Sequence, residues 1–227
     1  MKRLVLIHTV GSLSETFGRL CDELLPGVEV EHVVDESLLQ DTLRAGELTD
    51  DVRARFRRRA EEALASAPSA VVLTCSSVGP AADGTGVGRI DRAMADRAVT
   101  MGRRIGVAAT VPTTLAATTD LIRLAAAEAA PASGGQPAIE LRAELAEGGF
   151  QALREGRGDE HDRLVRAALE RLAGWADVIV LAQASMARAL AGATSFEAAG
   201  RSVPVLTSPR LGVERLGEVL GVRPPVG

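Results

Sequence analysis

The strongest constraint on this chain is that it repeats itself. Arg3-Leu-Val-Leu-Ile-His-Thr-Val10 matches Arg104-Ile-Gly-Val-Ala-Ala-Thr-Val111. Leu43-Arg-Ala-Gly46 matches Leu153-Arg-Glu-Gly156, and Leu73-Thr-Cys-Ser-Ser-Val78 matches Leu181-Ala-Gln-Ala-Ser-Met186. Each match alone is weak. All three fall in the same order, with an offset that drifts only as loop insertions would make it drift. Repetition of this kind signals one structural unit used twice, each copy burying an apolar face.

The unit itself reads as α/β. "RLVLIHT", "VEVEHVV", "SAVVLTC", "VGRI", "RRIGVAAT", "DVIVLAQ" and "VPVLTSP" read as strands. Between them, "SETFGRLCDELL" places Phe17, Leu20, Cys21 and Leu24 on one helical stripe. "DESLLQDTLRAG", "LTDDVRARFRRRAEEALASA", "DRAMADRAVTMG", "LAATTDLIRLAAAEA", "HDRLVRAALERLAGWA", "SMARALAGA" and "RLGVERLGEVLG" read as further helices, with Thr49 or Asp50 capping the second and Asp91 the third. "PASGGQP" reads as a loop, and "AIELRAEL" fits strand or frayed helix equally. Strands that alternate with helices form parallel sheets covered on both faces. The expected architecture is therefore two pseudo-symmetric α/β lobes, each a mostly parallel sheet flanked by helices, with the site in the cleft between them. The first lobe would hold residues 1–98 and 205–227, the second residues 99–204.

Composition removes several functions. Charged residues make up 25% and the net charge is −4, so no global basic surface marks a nucleic-acid partner. Aromatics are 2% with no tyrosine, which also argues against base stacking. The basic run Arg53 to Arg59 is flanked by acids and reads as a solvated helix face. No run approaches the ~20 apolar residues of a spanning helix. The four apolar residues before His8 are too few for a secretory core, so the expectation is a cytoplasmic protein off the membrane. Two cysteines make no disulfide framework, and His8, His32 and His161 are too scattered for a metal site.

In parallel α/β sheets, ligands bind beyond the carboxyl ends of the strands. Four such ends carry small polar residues here: His8-Thr9, Thr74-Cys75-Ser76-Ser77, Thr110 to Thr114, and Gln183-Ala184-Ser185. The duplication pairs Cys75 with Gln183 and would set them on opposite walls. Free backbone N–H groups at helix starts and the hydroxyls suit a small carboxylate without lysine or arginine. A thiol at such a helix start would have a lowered pKa, making Cys75 a better base or nucleophile.

With "IHTVGSL", "LTCSSVGP", "DRAMADRAV", "GVAATVPTTL" and "DVIVLAQASMARA" taken together, nearly the whole chain resembles the aspartate/glutamate/hydantoin racemase superfamily. The resemblance implies two pseudo-twofold lobes, no cofactor, and a cysteine from each lobe flanking the substrate α-carbon. Carried over by position, Cys75 is the first-lobe cysteine. Ser76 and Ser77 belong to its anion-binding turn, and Thr110, Thr113 and Thr114 to the second-lobe turn. Gln183, followed by Ala184 and Ser185, stands where the second cysteine belongs. Glutamine only hydrogen-bonds near neutral pH, so two-thiol racemisation is unavailable. The resemblance with this departure implies an isomerase or racemase-type enzyme on a small carboxylic acid (an amino acid, hydantoin or dicarboxylate), with Cys75 as proton carrier or nucleophile. The alternatives are a one-thiol decarboxylase or a non-catalytic small-acid binder, with His8 open as a second acid. Family habit is compatible with a homodimer.

Bland readings stand beside these. Cys75 would otherwise be a small buried hydrophobe, and Cys21 on its apolar stripe is structural. His32 and His161 read as structural, and the threonines as caps. Gly84 to Gly88 lacks the Gly-Lys-Ser/Thr ending of a phosphate loop. Ser76 and Ser77 lack a G-x-S-x-G elbow.

Overall fold

In the computed structural model, residues 1–130, 139–198 and 200–222 are described. The loop expected over "PASGGQP" lies outside them. The chain forms two compact units, Met1–Asp91 with Pro209–Gly227, and Arg92–Ser208.

The first lobe runs β1 (Lys2–His8), α1 (Leu13–Leu24), β2 (Val28–Val34), α2 (Glu36–Ala45), α3 (Asp50–Ala65), β3 (Ala70–Leu73), a 3-10 turn (Gly79–Ala81) and β4 (Gly88–Arg89). The sheet order is β2-β1-β3-β4, and every pair is parallel. Period-two alternation along β1 and β3 divides the core in two. Val5, Ile7, Val71 and Leu73 pack on Leu38, Val52 and Phe56 from α2 and α3. Leu4, Leu6 and Val72 pack on Phe17, Cys21 and Leu24 from α1, joined by Val213 of the last helix, α8 (Ser208–Leu220). Cys21 is thus a core side chain, as its stripe implies. Thr49 caps α3, with Val52 N–H donating to its hydroxyl at 3.3 Å. The basic face of α3 is tied to acids, with Arg55 bonded to Asp41 and Arg59 to Asp35 and Glu62.

The second lobe runs α4 (Arg92–Met101), β5 (Arg104–Ala109), α5 (Pro112–Ala129), β6 (Glu140–Leu145), α6 (Gly149–Arg154), α7 (Gly158–Ala173), β7 (Val178–Leu181), a 3-10 segment (Ala184–Leu190), β8 (Ser195–Ala198) and β9 (Arg201–Thr207). Its order is β6-β5-β7-β9-β8, parallel except for β8 against β9. Ala108, Ile179 and Leu181 pack on Val165, Leu169 and Leu172 of α7. Burying each such aliphatic side chain contributes ~1.5–3 kcal/mol.

The repeat seen in the sequence is a repeat in space. The path β1-α1-β2-α2-α3-β3-turn recurs as β5-α5-β6-α6-α7-β7-turn, and both sheets place the first strand of the path between its second and third. The matched Leu43–Gly46 and Leu153–Gly156 segments close α2 and α6, with Gly46 at φ 75° and Gly156 at φ 76°. Only glycine enters that left-handed region without a Cβ penalty. The starts of β1 and β5 are also pinned alike. Arg3 N–H donates to Ser69 Oγ at 3.2 Å. Asp177 accepts from the Arg104 N–H at 2.9 Å and from the Arg104 guanidinium at 2.6 Å.

Several expectations change. "AIELRAEL" is strand, because β6 is the parallel outer partner of β5. "SMARALAGA" is 3-10 rather than α, tightened by bonds such as Met186 N–H to Gln183 O at 3.1 Å. The antiparallel strand β8 was not anticipated; Ser-Phe-Glu-Ala alternates polar and apolar, but over only four residues, at the short end of strand length. Helix α4 groups with the second lobe from Arg92 onward, not with the first.

Candidate functional site

Register decides what stands beside what. The β1–β3 ladder ends at Ile7 against Leu73, and two residues further on Thr9 comes level with Cys75. The β5–β7 ladder ends at Ala108 against Leu181, and the same step brings Thr110 level with Gln183. Thr9 and Thr110 are equivalent in the repeat, so the two turns are duplicates in structure as well as in sequence.

In the first lobe, Cys75 is partly exposed and packs against the core built from Ile7, Leu73 and Val78. Burial of its sulfur raises the thiol pKa above the ordinary value, and the nearby Asp91 carboxylate pushes the same way. The Thr9 hydroxyl and the backbone N–H groups of Val78 and Ser77 favour the thiolate, without overcoming burial. This corrects the expected lowering. The turn leads into three residues of 3-10 helix, not into an α-helix whose dipole could stabilise an anion. Desolvation therefore wins, and the resting group is a neutral thiol.

Two hydroxyls near these strand ends are unusual. Thr9 Oγ1 and Ser14 Oγ are buried, and neither completes a hydrogen bond among the described residues. Ser14 sits in the first turn of α1. Leaving a buried hydroxyl unpaired costs ~1–3 kcal/mol, so such groups suit a ligand that completes them. Ser76 and Ser77 are both buried on the Cys75 turn.

Behind that turn lies a buried ion pair. Arg89 Nε and Nη2 reach the two Asp91 carboxylate oxygens, each at 3.0 Å, and both side chains are almost fully enclosed. A Cβ on Gly79 would meet the Arg89 guanidinium at 2.6 Å, so a side chain there would have to push Arg89 from its place beside Asp91. Asp91 thus holds Arg89 and acts on the thiol electrostatically, a larger part than the helix cap expected of it.

His8 does not join Cys75. The alternation of β1 places it on the opposite face of the sheet, fully buried, with its ring 5.7 Å from that of Phe17. Its Nδ1 lies 2.8 Å from Thr74 Oγ1 and its Nε2 2.8 Å from His32 Nδ1. Thr74 gives its proton to Ile7 O at 3.1 Å, so His8 donates from Nδ1 and accepts at Nε2 from His32. That is a neutral imidazole, consistent with a pKa lowered to about 4 by burial and by His32. As a second acid beside Cys75, His8 is on the wrong side.

In the second lobe, Gln183 is held by Thr110. Its Oε1 accepts from the Thr110 N–H at 2.6 Å and the Thr110 hydroxyl at 2.9 Å. Thr110 and Thr114 are buried and Thr113 is half-buried; Ala184 and Ser185 are half-buried beyond Gln183. His161, buried on α7, donates from Nδ1 to Gly149 O at 2.9 Å. Ser14 and Arg89 escaped the sequence reading, which placed Thr9 at a site-lining strand end without giving it a role of its own. The role of Thr9 could have been read from its match to Thr110, and Arg89 found from its i, i+2 spacing to Asp91.

No family model and no curated protein matches the chain. Solved structures do. The allantoin racemase from Klebsiella pneumoniae is 18% identical with a TM-score of 0.63, covering 99% of this chain and 90% of its own. The aspartate racemase of Picrophilus torridus is 10% identical with a TM-score of 0.69, covering 98% and 96%. This is the aspartate/glutamate/hydantoin racemase fold. A maleate cis-trans isomerase from Nocardia farcinica shares it, at 15% identity and a TM-score of 0.55 over 97% of this chain and 93% of its own; that structure carries a covalently bound succinylcysteine intermediate. Among the described residues of this chain, no cluster of His, Cys, Asp or Glu could hold a metal, and no helix is long and apolar enough to cross a membrane.

Proposed function

We propose that the chain is a cofactor-independent isomerase of the racemase type, acting on a small carboxylic acid with Cys75 as its proton carrier. The observation that carries this is the Cys75 turn. A neutral, partly exposed thiol sits at a strand end with the Ser77 and Val78 N–H groups on its sulfur. Deprotonation is thereby made costly by burial but given three partners once it occurs. With the Thr9 hydroxyl given to the thiolate, the Ser14 hydroxyl, which completes no bond among the described residues, is left as a donor for a carboxylate oxygen. Donors aimed at developing negative charge are usually the largest catalytic term. The chemistry is then removal or return of a proton next to the substrate carboxylate, with charge spread onto the hydrogen-bonded oxygens. The racemases and the cis-trans isomerase that share the fold work on small acids or ureides, which agrees with that scale of substrate.

A second reading has its own observation. The raised thiol pKa and the absence of a proton carrier at Gln183 favour a small-acid binding protein that no longer turns its ligand over. Incubation in heavy water with L-aspartate, L-glutamate and allantoin separates the two. The enzyme reading expects deuterium at the carbon next to the carbonyl, lost in Cys75→Ala. Deuterium that persists in Cys75→Ala removes the thiol from the mechanism, and ligand binding without any exchange supports the second reading.

A further inference from the structure

The backbone N–H of Thr110 can only donate, so the atom of Gln183 that meets it at 2.6 Å must be the amide oxygen. The Thr110 hydroxyl donates to the same oxygen. Both contacts fix the amide against flipping, and the NH2 end is directed away from Thr110. That end makes no hydrogen bond among the described residues, on a side chain that is only half-buried. Thr110 is itself backed. A Cβ on Gly149 would come within 2.9 Å of Thr110 Cγ2, so the start of α6 lies directly against it. The buried His161 ring fixes that start through Gly149 O.

We infer that Gln183 is a specificity residue whose fixed amide NH2 takes a carboxylate or amide-carbonyl oxygen of the substrate; this rests on the small-acid reading above. The position presents two N–H donors, no acceptor and no exchangeable acid. It therefore favours an oxygen acceptor and disfavours an ammonium or N–H group. The substrate class that fits is an acid carrying a second carbonyl or carboxylate oxygen, a dicarboxylate or an acyl urea.

The Gln183 side-chain amide can be followed by nitrogen-15 NMR, assigned by its disappearance in Gln183→Glu. Succinate, L-aspartate and allantoin are the probes, with binding measured in parallel by calorimetry. The expected result is a saturable downfield shift of the Gln183 NH2 pair with at least one probe, unchanged in Cys75→Ser. Gln183→Glu should keep its bond to Thr110 and its unfolding midpoint, yet bind the same probe at least about tenfold more weakly, the scale of one hydrogen bond. Binding that leaves the amide unmoved, or equal affinity in Gln183→Glu, overturns the inference alone. No binding by any of the three overturns the small-acid reading and the inference with it. Loss of the Cys75 role in the exchange experiment with the amide shift intact overturns the proton-carrier reading alone.

Discussion

The two strand-end turns are copies whose polar residues are bonded differently. Both follow the third strand of the repeated path, and both stand level with a threonine at the end of the first strand. In the second lobe the pair is closed, since Thr110 spends its N–H and hydroxyl on Gln183. In the first lobe the pair is open. Thr9 keeps a buried hydroxyl without a completed bond beside a thiol that burial holds neutral. A satisfied polar pair rigidifies a turn, whereas an unsatisfied one costs stability and persists where a ligand can use it. The proposed roles follow this difference, with proton transfer at the first turn and hydrogen bonding at the second.

The largest stability effect should come from the ion pair behind the first turn. Asp91→Asn leaves the enclosed Arg89 charge without its partner, and breaking a buried pair this way costs ~3–5 kcal/mol. The same change removes a negative charge acting on Cys75, so iodoacetamide should alkylate the folded variant faster than the wild type. Urea unfolding and the alkylation rate read the two effects. A variant of wild-type stability and reactivity would detach Asp91 from the Cys75 turn.

Acid should act on the first lobe before the second. Unfolded histidine titrates near 6.5 and folded His8 near 4, so the fold prefers the neutral ring. Stability is full above pH 6.5 and falls as the pH drops through 4. The groups facing His8 are Thr74, His32 and Phe17, and Asp22 favours charge on His32 without reversing the lowering that burial causes there. Denaturation between pH 7 and 4 should therefore be shallower in His8→Asn than in the wild type. Equal slopes would contradict the neutral-pair assignment.

Smaller effects separate the closed pair from the open one. Gln183→Leu strands the Thr110 N–H and should cost ~1–3 kcal/mol, while Gln183→Glu keeps an oxygen there and should cost little. Thr9→Val swaps a hydroxyl without a completed bond for a methyl of like shape, so stability should stay level or rise slightly. The thiol should then become still harder to ionise, because Thr9 is one of the groups favouring its charge. A Thr9 variant as damaged as Gln183→Leu would show that the first pair is closed too.

The lobes, the parallel strands and the identity of both turns were legible in the sequence because the repeat is local and strand-length apolar runs mark buried parallel sheet. The Cys75–Gln183 correspondence needed only alignment of the chain with itself. What escaped depended on direction. Strand alternation sends His8 to the α1 side and Thr9 to the Cys75 side, a one-residue distinction that polar character at a strand end does not resolve. The thiol pKa was misjudged because a helix was expected after Cys75. Six residues of "SMARALAGA", together with Ala184 before them, form 3-10 turns for reasons its good helix formers do not reveal.

The most direct test of divided labour compares Cys75→Ser with Gln183→Ala in the heavy-water exchange assay, using whichever probe the wild type exchanges. Cys75→Ser should lose exchange by ~10²–10⁴-fold, the usual contribution of a positioned proton carrier. Gln183→Ala should raise KM with kcat changed little, as removal of a binding contact does. Full exchange in Cys75→Ser, or an equal collapse of kcat in both variants, would contradict the division.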